Sequence, residues 1–142
     1  MTESPLDVRG SEPLAPLTTL GIGGDARWLL HARTMDDVSR AHRWSESAAV
    51  PLFVMGGGSN LVVAEGGFEG LVVHVDVRGR TLTTDGGDTL VTVGAGEPWD
   101  GVVGDCVGRG LAGLECLSGI PGTVGGTPIQ NVGAYGQDVA GR

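Results

Sequence analysis

Gly113-Leu-Glu-Cys-Leu-Ser-Gly-Ile-Pro-Gly-Thr-Val-Gly-Gly-Thr-Pro-Ile-Gln-Asn-Val-Gly-Ala-Tyr-Gly136 is the stretch on which the reading of this chain turns. Glycine occupies positions 113, 119, 122, 125, 126, 133 and 136, too often for a packed helix or strand. Each glycine permits positive φ or a close backbone approach, and each costs conformational entropy on ordering. A segment that accepts this cost repeatedly presents bare backbone N–H groups to something, and concave arrays of N–H groups bind anions, phosphates above all. A second cluster, Met55-Gly-Gly-Gly-Ser-Asn-Leu61, lies upstream behind an apolar run. Two such clusters point to a ligand with an extended, phosphate-bearing body.

Composition narrows the chemistry. The chain has 142 residues, enough for one domain or slightly less than two small ones. Its hydrophobic content of 40% supports a core. Residues 1–12 are polar and aperiodic and read as a flexible tail. They lack the charged start and apolar run of a signal peptide. No apolar stretch reaches the roughly 18 residues of a membrane span, so a soluble, cytoplasmic protein without a membrane partner is expected. Net charge is -8, and all nine basic residues are arginine. Without lysine, a Walker-type phosphate loop and Schiff-base chemistry are excluded. An acidic chain without a basic stripe is a poor nucleic-acid binder, so no nucleic-acid partner is expected. An anionic ligand must be held by local backbone dipoles against the overall field. Cys106 and Cys116 read as free thiols, and His31, His42 and His74 are scattered, so no metal site is expected.

In chain order, residues 13–20 are extended, because proline pushes its predecessor out of helix. Gly21-Ile-Gly-Gly-Asp-Ala26 fits a dinucleotide fingerprint by letters alone, but a strand over 26–32 follows where that motif needs a helix. Thr34 caps a helix running to about residue 48, with Met35, Val38, Ala41, His42 and Ser45 on its inner face and Asp37, Arg40 and Glu46 outward. Residues 51–55 form a buried strand that empties into the glycine loop, predicting a parallel strand pair with a crossover helix. Residues 61–63 and 71–75 read as further strands. Residues 81–93 read as a hairpin around Asp85-Gly-Gly87. A helix over 99–107 ends near Gly108 or Gly110. With no closing element after Tyr135, the chain reads as truncated.

Three stretches carry a family resemblance: Pro16-Leu-Thr-Thr-Leu-Gly-Ile-Gly-Gly24, Gly56-Gly-Gly-Ser-Asn-Leu61 and Ile120-Pro-Gly-Thr-Val-Gly-Gly-Thr-Pro-Ile-Gln-Asn-Val-Gly-Ala-Tyr-Gly136. Through them the chain resembles the flavin-binding domain of UDP-N-acetylenolpyruvoylglucosamine reductases (UDP-N-acetylmuramate dehydrogenases). These belong to the vanillyl-alcohol-oxidase-type, or PCMH-type, flavoproteins. The resemblance implies an α+β fold of two small subdomains, residues 13–78 with the glycine loop and residues 79–142, the second incomplete and the substrate-binding C-terminal domain absent.

It also implies non-covalent FAD, since the loop holds no histidine, with NADPH as cosubstrate and a UDP-sugar enolpyruvate as substrate. The amides of Gly56, Gly57, Gly58 and Ser59, with the Asn60 side chain, would cradle the pyrophosphate. Ile120, Pro121, Gly122, Gly125 and Gly126 would pass along the flavin and pyrophosphate, with Thr127 near them. Gln130 and Asn131 would supply polar contacts near the flavin. Tyr135 reads equally as a packing residue or a ligand contact. The family's substrate-clamping Tyr-Arg pair, proton-donating Ser and late Glu come from segments beyond the flavin stretch, so no catalytic residue is expected in this chain. The alternative is a flavin-binding module without turnover of its own.

Overall fold

The computed structural model of the chain describes residues 6–141. The chain divides into two compact units, 1–77 and 78–142. In the first, β1 (Arg9–Pro13), β2 (Asp25–Ala32), β3 (Leu52–Met55) and β4 (Phe68–Val75) form one sheet in the order β1-β2-β4-β3. β1 is antiparallel to β2, and β2, β4 and β3 are parallel. The crossover helix α1 (Met35–Ala48) is present as expected, but β2 and β3 are not neighbours: β4 lies between them. Burial explains the order. Leu71, Val72 and Val73 of β4 are at most 1% exposed, so this run must be covered on both faces and takes the centre. β3 carries the exposed Phe53 and Val54 and takes the edge.

Alternation along β2 and β4 feeds two cores. Leu29, Val72 and Met55 pack with Leu14 on one face. Leu30, Ala32, Leu71 and Val73 pack against Ala41 of α1 on the other. The Thr34 hydroxyl accepts from the Asp37 amide at 3.0 Å, and the Asp37 carboxylate accepts from the Thr34 amide at 2.9 Å, a complete capping box. The Asp37 carboxyl meets partial desolvation, which raises its pKa. The Thr34 hydroxyl and the Arg33 and Thr34 amides outweigh it, and the net shift is downward.

The inner face of α1 differs from the expected one. Ala41 and Ser45 are buried, but Met35 is 70% exposed and His42 lies outside. Trp44, absent from the periodicity reading, packs on the core and meets Trp28 edge-on at 5.6 Å. Arg40 is largely covered rather than outward.

Three further expectations are corrected. Residues 9–12, read as part of a flexible tail, form β1, because the open edge of β2 supplies hydrogen-bond partners to a polar segment. Residues 1–5 of that tail lie outside the described residues. The extended reading of residues 13–20 gives way to a 3-10 turn at Ala15–Leu17. Leu61 to Val63 is not a strand: Leu61 and Val63 cover the first core while Val62 is 71% exposed, and no ladder forms.

The second unit begins with the hairpin β5 (Arg80–Asp85) and β6 (Asp88–Val93), joined by Gly86 and Gly87 at φ 58° and 101°, as the Asp-Gly-Gly signal predicts. Helix α2 (Trp99–Gly108) follows, and buried Trp99 donates from Nε1 to the Leu117 carbonyl at 2.8 Å. Short elements complete the unit: α3 (Gly126–Ile129) and the two-residue strands β7 (Gly133–Ala134) and β8 (Gln137–Asp138). Trp99, Val103 and Leu117 form its core, with Ile120 and Val124 against them. Among the described residues, no helix is long and apolar enough to cross a membrane.

Two carboxylates staple this unit. Glu97 accepts from the Gly79 amide at 3.0 Å and from Arg80 Nη2 at 2.8 Å. Asp100 accepts from the Gly119 amide at 2.6 Å and the Ser118 hydroxyl at 2.9 Å. The Gly79 amide and then Arg80 lower the Glu97 pKa, and the Gly119 amide and then Ser118 lower that of Asp100. A folded-state pKa below the ordinary value contributes stability above that value and loses it as pH falls through the folded one. Thermal melts are therefore expected to weaken as pH drops below the ordinary 4.5 and 3.8 of these groups. The double variant Glu97→Gln, Asp100→Asn should flatten that acid limb; an unchanged slope would remove the staple assignment. Thr34→Ala should lose about 1 kcal/mol by chemical denaturation, through the lost cap.

Candidate functional site

The glycine loop, residues 56–60, leaves the carboxyl end of β3, where open α/β sheets place their ligands. Among the described residues, no carbonyl or side-chain acceptor takes a hydrogen bond from the amides of Gly56, Gly57, Gly58 or Asn60. Gly57 and Asn60 are exposed and Gly56, Gly58 and Ser59 half-buried. Backbone amides grouped at a strand end are donors of the kind that hold an anion without lysine.

Gly58 has a second duty. Its φ is +64°, and a Cβ there would overlap the Leu17 carbonyl oxygen and lie 2.9 Å from the Thr18 Cα. Its own carbonyl accepts from the Thr19 amide at 3.1 Å. Residues 17–24 are laid directly on residues 58–67. Gly23 faces the Val63 Cβ, Gly24 meets the Glu65 carbonyl, and the Gly24 amide donates to Ala64 at 3.0 Å. Beside this zone an apolar depression is lined by Leu14, Phe53, Met55, Leu61, Val62 and Phe68 among others. None of its lining residues is charged or polar, so it adds no anion ligand.

The expected second set belongs to the other unit. Ile120 is half-buried in its core and Pro121 is exposed. The Gly122 carbonyl accepts from the Trp99 amide at 3.0 Å, and the Gly125 amide donates to Ala95 at 2.8 Å. A Cβ at Gly125 would lie 2.8 Å from that of Ala95, so this glycine is required by close packing. Gly126 opens α3. Thr127 is 5% exposed and its hydroxyl donates to the Val124 carbonyl at 2.8 Å, an internal use the sequence did not indicate. Gln130 and Asn131 are exposed, with Asn131 at φ +49°. Tyr135 is 92% exposed at φ +52°. Cys106 and Cys116 are free thiols, and no group of three potential metal ligands occurs among the described residues.

The model of the FAD-binding domain family matches residues 26–142. The chain belongs to this family. As an FAD-binding domain it is 49% identical over 139 residues to UDP-N-acetylenolpyruvoylglucosamine reductase of Streptomyces coelicolor, covering 98% of this chain and 35% of that protein. It is 50% identical over 129 residues to the protein of the same name from Thermobifida fusca, covering 90% of this chain and 36% of that one. The chain thus spans about a third of the length of these curated relatives.

Among solved structures it is similar to UDP-N-acetylenolpyruvylglucosamine reductase from Thermus caldophilus, with a TM-score of 0.70 and 30% identity over 96% of this chain and 46% of that one. Cholesterol oxidase from B. sterolicum shares the fold alone, with a TM-score of 0.60 and 19% identity over 93% of this chain and 26% of that one. The α+β, PCMH-type fold implied by the resemblance is the one observed.

The sequence reading missed residues 17–24 as one wall of this zone. Their glycines were the available signal, since Gly23 and Gly24 sit where only backbone fits. Gly58→Ala is expected to cost more than about 1 kcal/mol, because positive φ and the overlap with Leu17 act together. Gly66→Ala, at a position with open space around it, should be near neutral. Equal denaturation midpoints for the two variants would remove the packing role of Gly58.

Proposed function

We propose that residues 1–142 hold FAD for a reductase of peptidoglycan-precursor synthesis. The reaction would convert UDP-N-acetylglucosamine enolpyruvate to UDP-N-acetylmuramate in the cytoplasm, with NADPH as hydride source. The observation that carries this is the row of open amides at Gly56, Gly57, Gly58 and Asn60, at the end of a parallel strand in a chain of the FAD-binding family. In a chain of net charge -8 without lysine, fixed backbone dipoles would let the loop hold a pyrophosphate.

The donor set fits the cofactor. The amides of Gly56, Gly57, Gly58 and Asn60 would donate to the pyrophosphate oxygens, with Ser59 as part of the same loop and the Asn60 side chain adding a polar contact. Ile120, Pro121, Gly122, Gly125 and Gly126 would supply backbone to the flavin, the Gly125 and Gly126 amides being already held by the Ala95 and Thr123 carbonyls. Gln130 and Asn131 would supply exposed amide side chains, and Thr127 would hold that segment through Val124. Bound FAD supplies the hydride chemistry; these residues bind and orient it.

A second reading, a flavin-binding module that does not turn over by itself, is favoured by coverage of only 35–36% of the curated relatives. The two readings agree on cofactor binding and differ on whether adding NADPH and enolpyruvate substrate to the loaded chain gives turnover.

Titration with FAD, followed by quenching of flavin fluorescence, is expected to saturate at one equivalent. Gly57→Asp should abolish saturation at the same concentrations by placing a carboxylate among the loop amides. Undiminished binding by Gly57→Asp would place the pyrophosphate elsewhere.

A further inference from the structure

His31 and His74 stand 43 residues apart in the chain and read as scattered from the sequence, yet the fold sets them side by side. They are register partners on the parallel strands β2 and β4. Leu30, Ala32 and Val73, their neighbours in sequence, pack toward α1, so strand alternation turns both imidazoles to the other face, with Leu29 and Val72. There the two Nδ1 atoms lie 2.9 Å apart. The rings meet edge to face, with 5.0 Å between centroids and 89° between planes. Both histidines are half-buried, each next along its strand face after a buried residue. Met55 is the register partner of His74 on β3 and gives the row an apolar end.

A hydrogen bond between two neutral imidazoles needs one Nδ1 to donate and the other to accept. Moving that single hydrogen to Nε2 leaves two lone pairs meeting across one gap, which is what neutral histidine offers a metal ion. At an imidazole–metal bond of roughly 2.0 Å, nitrogens 2.9 Å apart subtend about 90° at the ion. That is the angle between adjacent ligands of a square-planar or tetragonal ion, and it is tighter than the tetrahedral angle of zinc. We propose that His31 and His74 form a site for a divalent copper ion, held by the two Nδ1 atoms and otherwise by water. Among the described residues no group of three His, Cys, Asp or Glu could hold a metal ion, so the bound ion is exchangeable rather than structural. It would clamp β2 to β4 near the end of their shared ladder. The site uses the first unit alone and is independent of the FAD reading.

The test is titration of the 142-residue chain with Cu²⁺ at neutral pH in a buffer that does not bind metals. His31→Gln and His74→Gln are compared with it, and His42→Gln, at the exposed histidine of α1, is the control. The electron paramagnetic resonance spectrum of the parent with substoichiometric Cu²⁺ should show coupling to two imidazole nitrogens. Ni²⁺, which leaves the free thiols of Cys106 and Cys116 unoxidised, should raise the parent's melting temperature. His31→Gln and His74→Gln should each bind Cu²⁺ at least about tenfold more weakly and lose the Ni²⁺ shift, with His42→Gln like the parent. Coupling to one nitrogen or none in the parent overturns the site without recourse to any variant. So does parent-like Cu²⁺ affinity in either variant of the pair, or a loss confined to His42→Gln, which places the ion on α1. Zn²⁺ binding tighter than Cu²⁺ overturns the square-planar assignment.

Discussion

The first unit depends on one constraint, the burial of β4 on both faces. Leu71 and Val73 point to α1 while Val72 points to the opposite core. A strand in that position must have a neighbour on each edge, so β2 and β3 flank it, and all three run parallel. Parallel strands end together, and the carboxyl end of β3 is therefore where the chain emerges into Gly56. The loop's location follows from where a run of three apolar residues can be hidden. The loop's own composition decides only what it presents there.

Glycine occurs in two settings in this chain, and the surroundings separate them. At Gly58, Gly24 and Gly67 a Cβ would strike the carbonyls of Leu17, Glu65 and Asp25 respectively, so these glycines allow backbone to rest on backbone. At Gly57 the amide is open and the residue exposed, which is the condition for meeting a ligand. Gly58, seated on residues 17 and 18, fixes the backbone next to the Gly57 amide.

The second unit solves a different problem with the same residues. A two-stranded hairpin and a glycine-rich segment have little regular hydrogen bonding to define them. Carboxylates supply the definition: Glu97 joins the start of the hairpin to the entry of α2, and Asp100 joins the first turn of α2 to Gly119. The pairing of Gly122 and Gly125 with Trp99 and Ala95 continues that seam. The shape of residues 113–136 is thus imposed by the chain around Trp99 rather than by any propensity of their own.

Local chemistry was legible in the letters. The Thr34 cap with Asp37 three residues on, the Asp-Gly-Gly hairpin and the glycine loop behind an apolar strand were all readable, because each depends on neighbours a few residues away. The order of letters in residues 16–24, 56–61 and 120–136 was also enough to reach the family. What only the tertiary structure decided rests on distant partners. That β4 divides β2 from β3, that polar residues 9–12 become a strand, that Trp44 rather than Met35 faces the core, and that Thr127 spends its hydroxyl on Val124 all follow from long-range burial and hydrogen bonding. No local pattern encodes those, because the free energy that chooses them arises only when segments far apart in the chain come together.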